Sequence, residues 1–241
     1  MNVDMTPKTL KEIINIISEF GSDAKLSFDH NGLSVKMVDP AHVAMCSLTM
    51  DKAVFSNYSV EDNNENVCVD VDRIKKILPL LACQETVNVS TKSNRLIFKF
   101  GNMKRTMPLI DPGAISDPKI PNLILNQEVT IKSDNIKQIM KCSDDIEQAV
   151  CVVLTPKDFS LTASSDSDEI EYKITKDECV KHACNEASRG KYPTDYIIKS
   201  LKGATNQDIK ISMKTDYPVK IEYLLDGGHV MFLIAPRIET E

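Results

Sequence analysis

The same succession of elements runs through this chain twice, and no other feature limits its fold as much. Each half opens on a capped helix. In TPKTLKEIINIISEF, Thr6 stands at the N-cap and Pro7 at the first helical position, where a missing N–H is harmless. Ser133 and Asp134 open SDNIKQIMKC in the same way. Alternating strands follow: AKLSFDHNGLSVKMVD turns at His30-Asn31-Gly32, and AVCVVLTPKDFSLTASSD turns over Thr155 to Asp158. Further on, VDRIKKILPLLACQETVNVS is matched by TDYIIKSLKGATNQDIKIS, each a short helix, a polar turn and a strand. RLIFKFGNMKRTMPLI and VKIEYLLDGGHVMFLIAP close the halves as hairpins, the second turning at Asp226-Gly227-Gly228. The expected fold class is therefore α+β, with two similar domains over 1–110 and 126–241, each a β-sheet carrying two α-helices on one face.

Between them, 111–125 reads as a connector. Pro112, Pro118 and Pro121 fix φ and remove donors, which keeps LIDPGAISDPKIPNLIL extended and outside any central strand. Linkers are usually polar, whereas this one is rich in Ile and Leu. Such a segment either lies against a surface or offers one.

Net charge is −6 over 241 residues, which argues against a simple polybasic binder of DNA or membrane unless positive charge is gathered in one place. It is gathered on the helices. Leu10, Ile13, Ile14 and Ile17 share one face of the first helix, opposite Lys8 and Lys11. Ile74, Ile77, Leu78 and Leu81 leave Lys75 and Lys76 outward, with Arg73 at the flank. Ile136, Ile139 and Met140 oppose Lys137 and Lys141; Ile197, Ile198 and Leu201 oppose Lys199 and Lys202. Windows 7–18, 72–82, 133–143 and 194–204 together hold nine Lys or Arg and four Asp or Glu, so the rest of the chain is more acidic than the total suggests. Lysines with little aromatic or amide company suit tracking of a phosphate backbone rather than base readout.

No apolar run approaches a membrane span and the N-terminus lacks an apolar signal core, so a cytosolic protein is expected. Seven scattered cysteines read as reduced thiols. Cys179, His182 and Cys184 have a metal-like spacing without a fourth ligand nearby and read as a loop between strands. Phosphate-loop, nucleophile-elbow and zinc-protease motifs are missing. The pairs Asp70/Asp72 and Asp166/Asp168 leave open a metal-dependent nuclease, but Asp72 is more simply a helix cap and SSDSDE an exposed turn. No catalytic residue, metal site or cofactor is expected.

LSVKMVDPAHVAMCSLTM, the connector with KIPNL, the terminal DYPVKIEYLLDGGHVMFLIAPRIE and the duplication together resemble the sliding clamps of the proliferating cell nuclear antigen family, in their shorter archaeal form, over essentially the whole chain. The resemblance implies a ring of three subunits with helices lining a hole around duplex DNA, gripped without regard to sequence. Lys8, Lys11, Arg73, Lys76, Lys137, Lys141, Lys199 and Lys202 match its DNA-facing positions, while Glu12 and Pro79 stand where animal relatives have lysine. It also implies a pocket for short peptide motifs of DNA polymerase, flap endonuclease, DNA ligase and the clamp loader, replication factor C. Val38, Val43, Pro118, Ile120, Pro121, Pro218, Leu233, Ala235 and Pro236 match that pocket, with Leu233 in place of a tyrosine. Subunits would join through Met103, Arg105, Met107 and Leu109 on one side and Ile170, Tyr172 and Ile174 on the other. A homotrimeric processivity clamp of the nucleoid is the leading expectation. The alternative is a clamp-like subunit of a mixed ring or a damage-response clamp.

Overall fold

The computed structural model describes residues 1–61, 64–143 and 146–237. It divides into two compact units, Met1–Ile120 with Leu224–Val230, and Pro121–Tyr223 with Met231–Glu241. The first contains β1 (Asn2–Met5), α1 (Pro7–Ile17), β2 (Asp23–Asp29), β3 (Gly32–Val38), β4 (Ala44–Asp51), β5 (Asn57–Ser59), β6 (Asn64–Asp70), α2 (Val71–Lys75), β7 (Val87–Lys92), β8 (Arg95–Phe100) and β9 (Met103–Pro108). The second contains β10 (Gln127–Lys132), α3 (Ser133–Ser143), β11 (Ala149–Leu154), β12 (Asp158–Ser164), β13 (Glu169–Thr175), β14 (Lys181–Ala183), β15 (Ser188–Pro193), α4 (Thr194–Ser200), β16 (Asp208–Met213) and most of β17 (Val219–Leu225) and β18 (Gly228–Ile234). The architecture is α+β, and all the strand pairings described are antiparallel.

In the first unit the strands run β5-β1-β7-β8-β9 and β6-β2-β3-β4. Thr6 caps α1 by accepting the Thr9 N–H at 3.1 Å. Leu10, Ile13, Ile14, Ile16 and Ile17 are all buried. A cap is worth about 1 kcal/mol, and each buried aliphatic side chain about 1.5–3 kcal/mol, so packing rather than capping fixes where this helix lies. Gly32 closes the β2–β3 turn at φ 145°, where an added Cβ would meet the Met50 carbonyl oxygen at 2.0 Å, so no larger residue fits. Tyr58 donates towards both carbonyls of that turn, Asp29 O at 2.6 Å and Gly32 O at 2.7 Å.

The second helix differs from its expectation. α2 ends at Lys75, and a 3-10 turn, Leu78–Leu81, follows with Pro79 inside it. Proline lacks the N–H an α-helix needs and its ring crowds the preceding turn. The cap is Asp70, which accepts the Arg73 N–H at 2.9 Å; Asp72 sits in the first turn instead. Both carboxylates favour a helix N-terminus, but only one is placed to accept.

The second unit repeats the pattern, with strand orders β13-β12-β11-β15 and β14-β10-β16-β17. α3 packs beside α4, as α1 does beside α2. Tyr192 is fully buried, and its hydroxyl donates to Tyr217 O at 2.8 Å. An added Cβ at Gly190 would lie 2.4 Å from that hydroxyl, which is why β15 has glycine two residues before the tyrosine. α4 stops at Ser200, short of the 194–204 window, and Leu201 caps it.

Candidate nucleic-acid and partner interfaces

On α1, Lys8 and Lys11 lie on the exposed side one turn apart, and Asn15 follows them. They line a groove of about 490 Å³ whose other wall is Lys75 with the turn Leu78–Pro79. Lys75 Nζ donates to Ser18 Oγ at 3.1 Å, which draws α2 towards α1. The groove contains no carboxylate. Arg73 lies elsewhere, paired through Nε with Asp70 at 3.0 Å, and Lys76 is exposed outside the groove lining. Lys75 thus joins Lys8 and Lys11, whereas Arg73 and Lys76 do not. Sequence reasoning placed Lys75 outward but did not count it among the DNA-facing residues.

Near the start of α1 the field changes sign. Glu12 is half-buried, and burial raises its carboxyl above the usual range; Lys8 opposes that shift and Asp226 adds to it. Lys8 Nζ itself lies 3.5 Å from Asp226 Oδ2.

In the second unit the four expected lysines are engaged to different degrees. Lys137 donates to the Ala204 carbonyl, and Lys199 pairs with Asp195 at 3.0 Å while lying 4.6 Å over the Tyr196 ring. Lys141 and Lys202 are exposed.

The expected peptide-binding residues also divide between the units. In the first, Val38 and Val43 are half-buried at the two ends of a turn governed by Asp39. This carboxylate is 3 % exposed and accepts from Ala41 N at 2.9 Å, Val43 N at 2.7 Å and Ala44 N at 2.6 Å. Between them His42 is held at φ 56°, a conformation that costs a non-glycine residue about 1 kcal/mol or more. Asp39 was not singled out from sequence, although Asp followed by Pro is an ordinary turn opening. The connector is anchored here as well: Ile110 N donates to Cys68 O at 2.9 Å, Asp111 caps a 3-10 turn over Pro112–Ala114, and Asp117 pairs with Lys25 at 3.0 Å. Pro118 is half-buried, but Ile120 remains 42 % exposed.

In the second unit Pro121 is exposed and Ile124 is 74 % exposed, an apolar side chain that the sequence reading did not single out. Pro218, Ala235 and Pro236 are half-buried, whereas Leu233 is only 6 % exposed and lies under the surface.

β9 and β13 are terminal strands of their sheets. Met103 is 44 % exposed, Arg105 and Leu109 are half-buried and Met107 is buried. On β13, Ile170 and Tyr172 are half-buried and Ile174 is buried. β9 also exposes Lys104, while β13 exposes Glu169 and Glu171.

Of the residues considered for metal chemistry, Cys179, Cys184 and Asp168 have other partners, whereas the ring nitrogens of His182 are buried without a hydrogen-bond partner among the described residues. The Cys179 and Cys184 thiols donate to Thr175 O at 3.4 Å and Glu186 O at 3.1 Å, and burial raises both above the usual thiol range. Asp168 closes a turn with Ser165, whose hydroxyl accepts the Asp168 N–H at 3.1 Å. Among the described residues no cluster of three or more His, Cys, Asp or Glu has a metal-binding arrangement. No helix there is long and apolar enough to cross a membrane.

Comparison with known proteins decides the family. Residues 5–108 match the profile described as proliferating cell nuclear antigen, N-terminal domain. The chain is 35 % identical over 245 residues to the DNA polymerase sliding clamp of Thermoplasma volcanium, covering 99 % of each chain. The chain belongs to the sliding-clamp family. The corresponding clamp of Archaeoglobus fulgidus is 32 % identical over 246 residues with full coverage of both. A solved structure described as the C-terminal region of FEN-1 bound to A. fulgidus PCNA superimposes with a TM-score of 0.93 at 30 % identity, covering 100 % of this chain and 99 % of that one. Sliding clamps are thus the frame in which the lysine groove, the apolar connector and the two terminal strands are to be understood.

Proposed function

We propose that three copies of this chain close into a ring around duplex DNA and hold replication and repair enzymes there by their short peptide motifs, without chemistry of its own. The carboxylate-free groove bearing Lys8, Lys11 and Lys75 carries this reading. It concentrates cations on α1 and α2 in a chain of net charge −6, an arrangement suited to phosphates and not to any one base sequence. Lys137, Lys141, Lys199 and Lys202 extend the same role to the second unit, and Arg73 and Lys76 add to it on the first, outside the groove.

Ring closure needs a head-to-tail contact between unlike surfaces. The basic edge of β9, with Lys104 and Arg105, complements the acidic edge of β13, with Glu169 and Glu171, so one copy's β9 pairs with the next copy's β13. Met103, Met107 and Leu109, with Ile170, Tyr172 and Ile174, supply the apolar part of that junction. Such pairing also covers strand edges that would otherwise promote aggregation.

Val38, Val43, Pro118 and Ile120 on the first unit, and Pro121, Pro218, Leu233, Ala235 and Pro236 on the second, are the proposed contacts for partner peptides. FEN-1, DNA polymerase, DNA ligase and the clamp loader are their proposed users, in the cytoplasm at the nucleoid. Ile120, exposed and held between Pro118 and Pro121, loses little conformational freedom when a helical turn docks on it. Tethering then raises each partner's effective concentration on the template.

The test is retention. Protein loaded on closed circular DNA should stay bound and leave after linearisation by sliding off the ends. Equal loss from both forms would defeat the encircling mechanism. A solution mass other than three times the 26.9 kDa chain would defeat the trimer.

A further inference from the structure

We propose that the partner peptide carries an acidic flank, which seats in a basic cleft on the second unit; this rests on the peptide-docking role above and adds the chemistry of its occupant. The cleft holds about 530 Å³ on one face of the β13-β12-β11-β15 sheet. Cys151, Thr162, Arg189 and Lys191 line it. They alternate with buried Val150, Val152, Leu161 and Tyr192, so they point away from the core against which α3 and α4 pack. Arg237 and the turn Thr215–Asp216 form the rim.

The three cations come from two segments that the backbone fastens together, Arg189 and Lys191 on β15 and Arg237 beyond β18. Arg237 N donates to Lys191 O at 2.7 Å, and Asp216 N donates to Arg189 O at 3.1 Å. Tyr192, reaching Tyr217 O at 2.8 Å, secures the same turn from below. The cleft is therefore largely organised before any ligand arrives, which lowers the entropy cost of binding.

Its charge is incompletely used. Glu147 and Asp216 also line the cleft, yet among the described residues neither Arg189 nor Arg237 makes an ion pair. Unpaired guanidinium groups beside hydroxyls suit an incoming carboxylate, which they can grip through two parallel N–H bonds. Position favours a peptide over DNA. The cleft lies on the sheet face turned from the helices, close in sequence to two of the proposed peptide contacts of the same unit: Pro236 precedes Arg237, and Pro218 is two residues beyond Asp216.

Calorimetry on the full chain tests this with the C-terminal peptide of FEN-1, made with a four-residue Glu or Gln extension at either end. At low salt the better-placed Glu version should bind roughly tenfold more tightly than its Gln counterpart. The gain should vanish in R189Q/R237Q, which should still bind the Gln version as the unaltered chain does and so reports its own folding. Equal affinity of the Glu and Gln versions, or a gain that survives in R189Q/R237Q, overturns the acidic-flank assignment alone. If no version binds, the docking role itself fails and this inference with it.

Discussion

Lys25 holds the carboxylate of Asp117 at 3.0 Å and so fastens the connector to β2. Asp117 is 62 % exposed, which limits the pair to about 1 kcal/mol or less. Asp117→Asn should therefore leave the melting temperature nearly unchanged while amide exchange over 111–120 quickens, as mass spectrometry would record. Unaltered exchange would mean that the connector is held by its apolar residues alone.

Asp39 has a larger effect because it is buried and serves three N–H groups. Asp39→Ala strands those donors and should cost about 2–4 kcal/mol, with Asp39→Asn losing less because one oxygen remains. Partner-peptide affinity should fall in Asp39→Asn while solution mass stays that of the intact assembly. A variant that binds peptide normally would separate this turn from docking.

Glu12 predicts a pH dependence. Its carboxyl is raised in the folded chain, chiefly by burial, so folding favours the protonated form. Ionised Glu12 thus opposes folding at neutral pH, and that penalty is relieved as pH falls through the raised value towards the ordinary one. Glu12→Gln should be slightly more stable at neutral pH, by under about 1 kcal/mol after allowing for solvent, with the advantage shrinking in mild acid. Melting curves at a series of pH values check the sign. The same variant should bind duplex DNA more tightly, since a negative charge beside Lys8 is gone.

The two strand edges predict a charge swap. Lys104→Glu with Arg105→Glu should reduce the assembly to single chains in light scattering, because like charges would face Glu169 and Glu171. Adding Glu169→Lys and Glu171→Lys to the same chain should restore it. Assembly unaffected by the first pair would place the junction elsewhere.

Much of this was legible in the sequence, for physical reasons that differ by element. The capped start of α1 and the turns at Gly32 and Asp226–Gly227 follow from local chemistry that tertiary packing does not contradict. α2 was over-extended because the spacing of Ile74, Ile77 and Leu81 satisfies a helical period even across Pro79, which ends the helix. Burial on one face fits both an α-helix and a 3-10 turn, and only the missing N–H separates them. Asp39 carried a local signal, Asp before Pro, that names a turn without showing its burial, whereas the Arg189–Arg237 cleft was not legible because backbone bonds between distant segments assemble it.

The bonds from Arg237 N to Lys191 O and from Asp216 N to Arg189 O close the outer side of β15, which leaves β13 as the receptive margin of its sheet. A building block with one receptive margin and one unlike offering margin has polarity, as a one-way fitting does. Every copy in the proposed assembly would face the same direction, giving it a front and a back, and any enzyme it carries would travel with a fixed heading along the double helix.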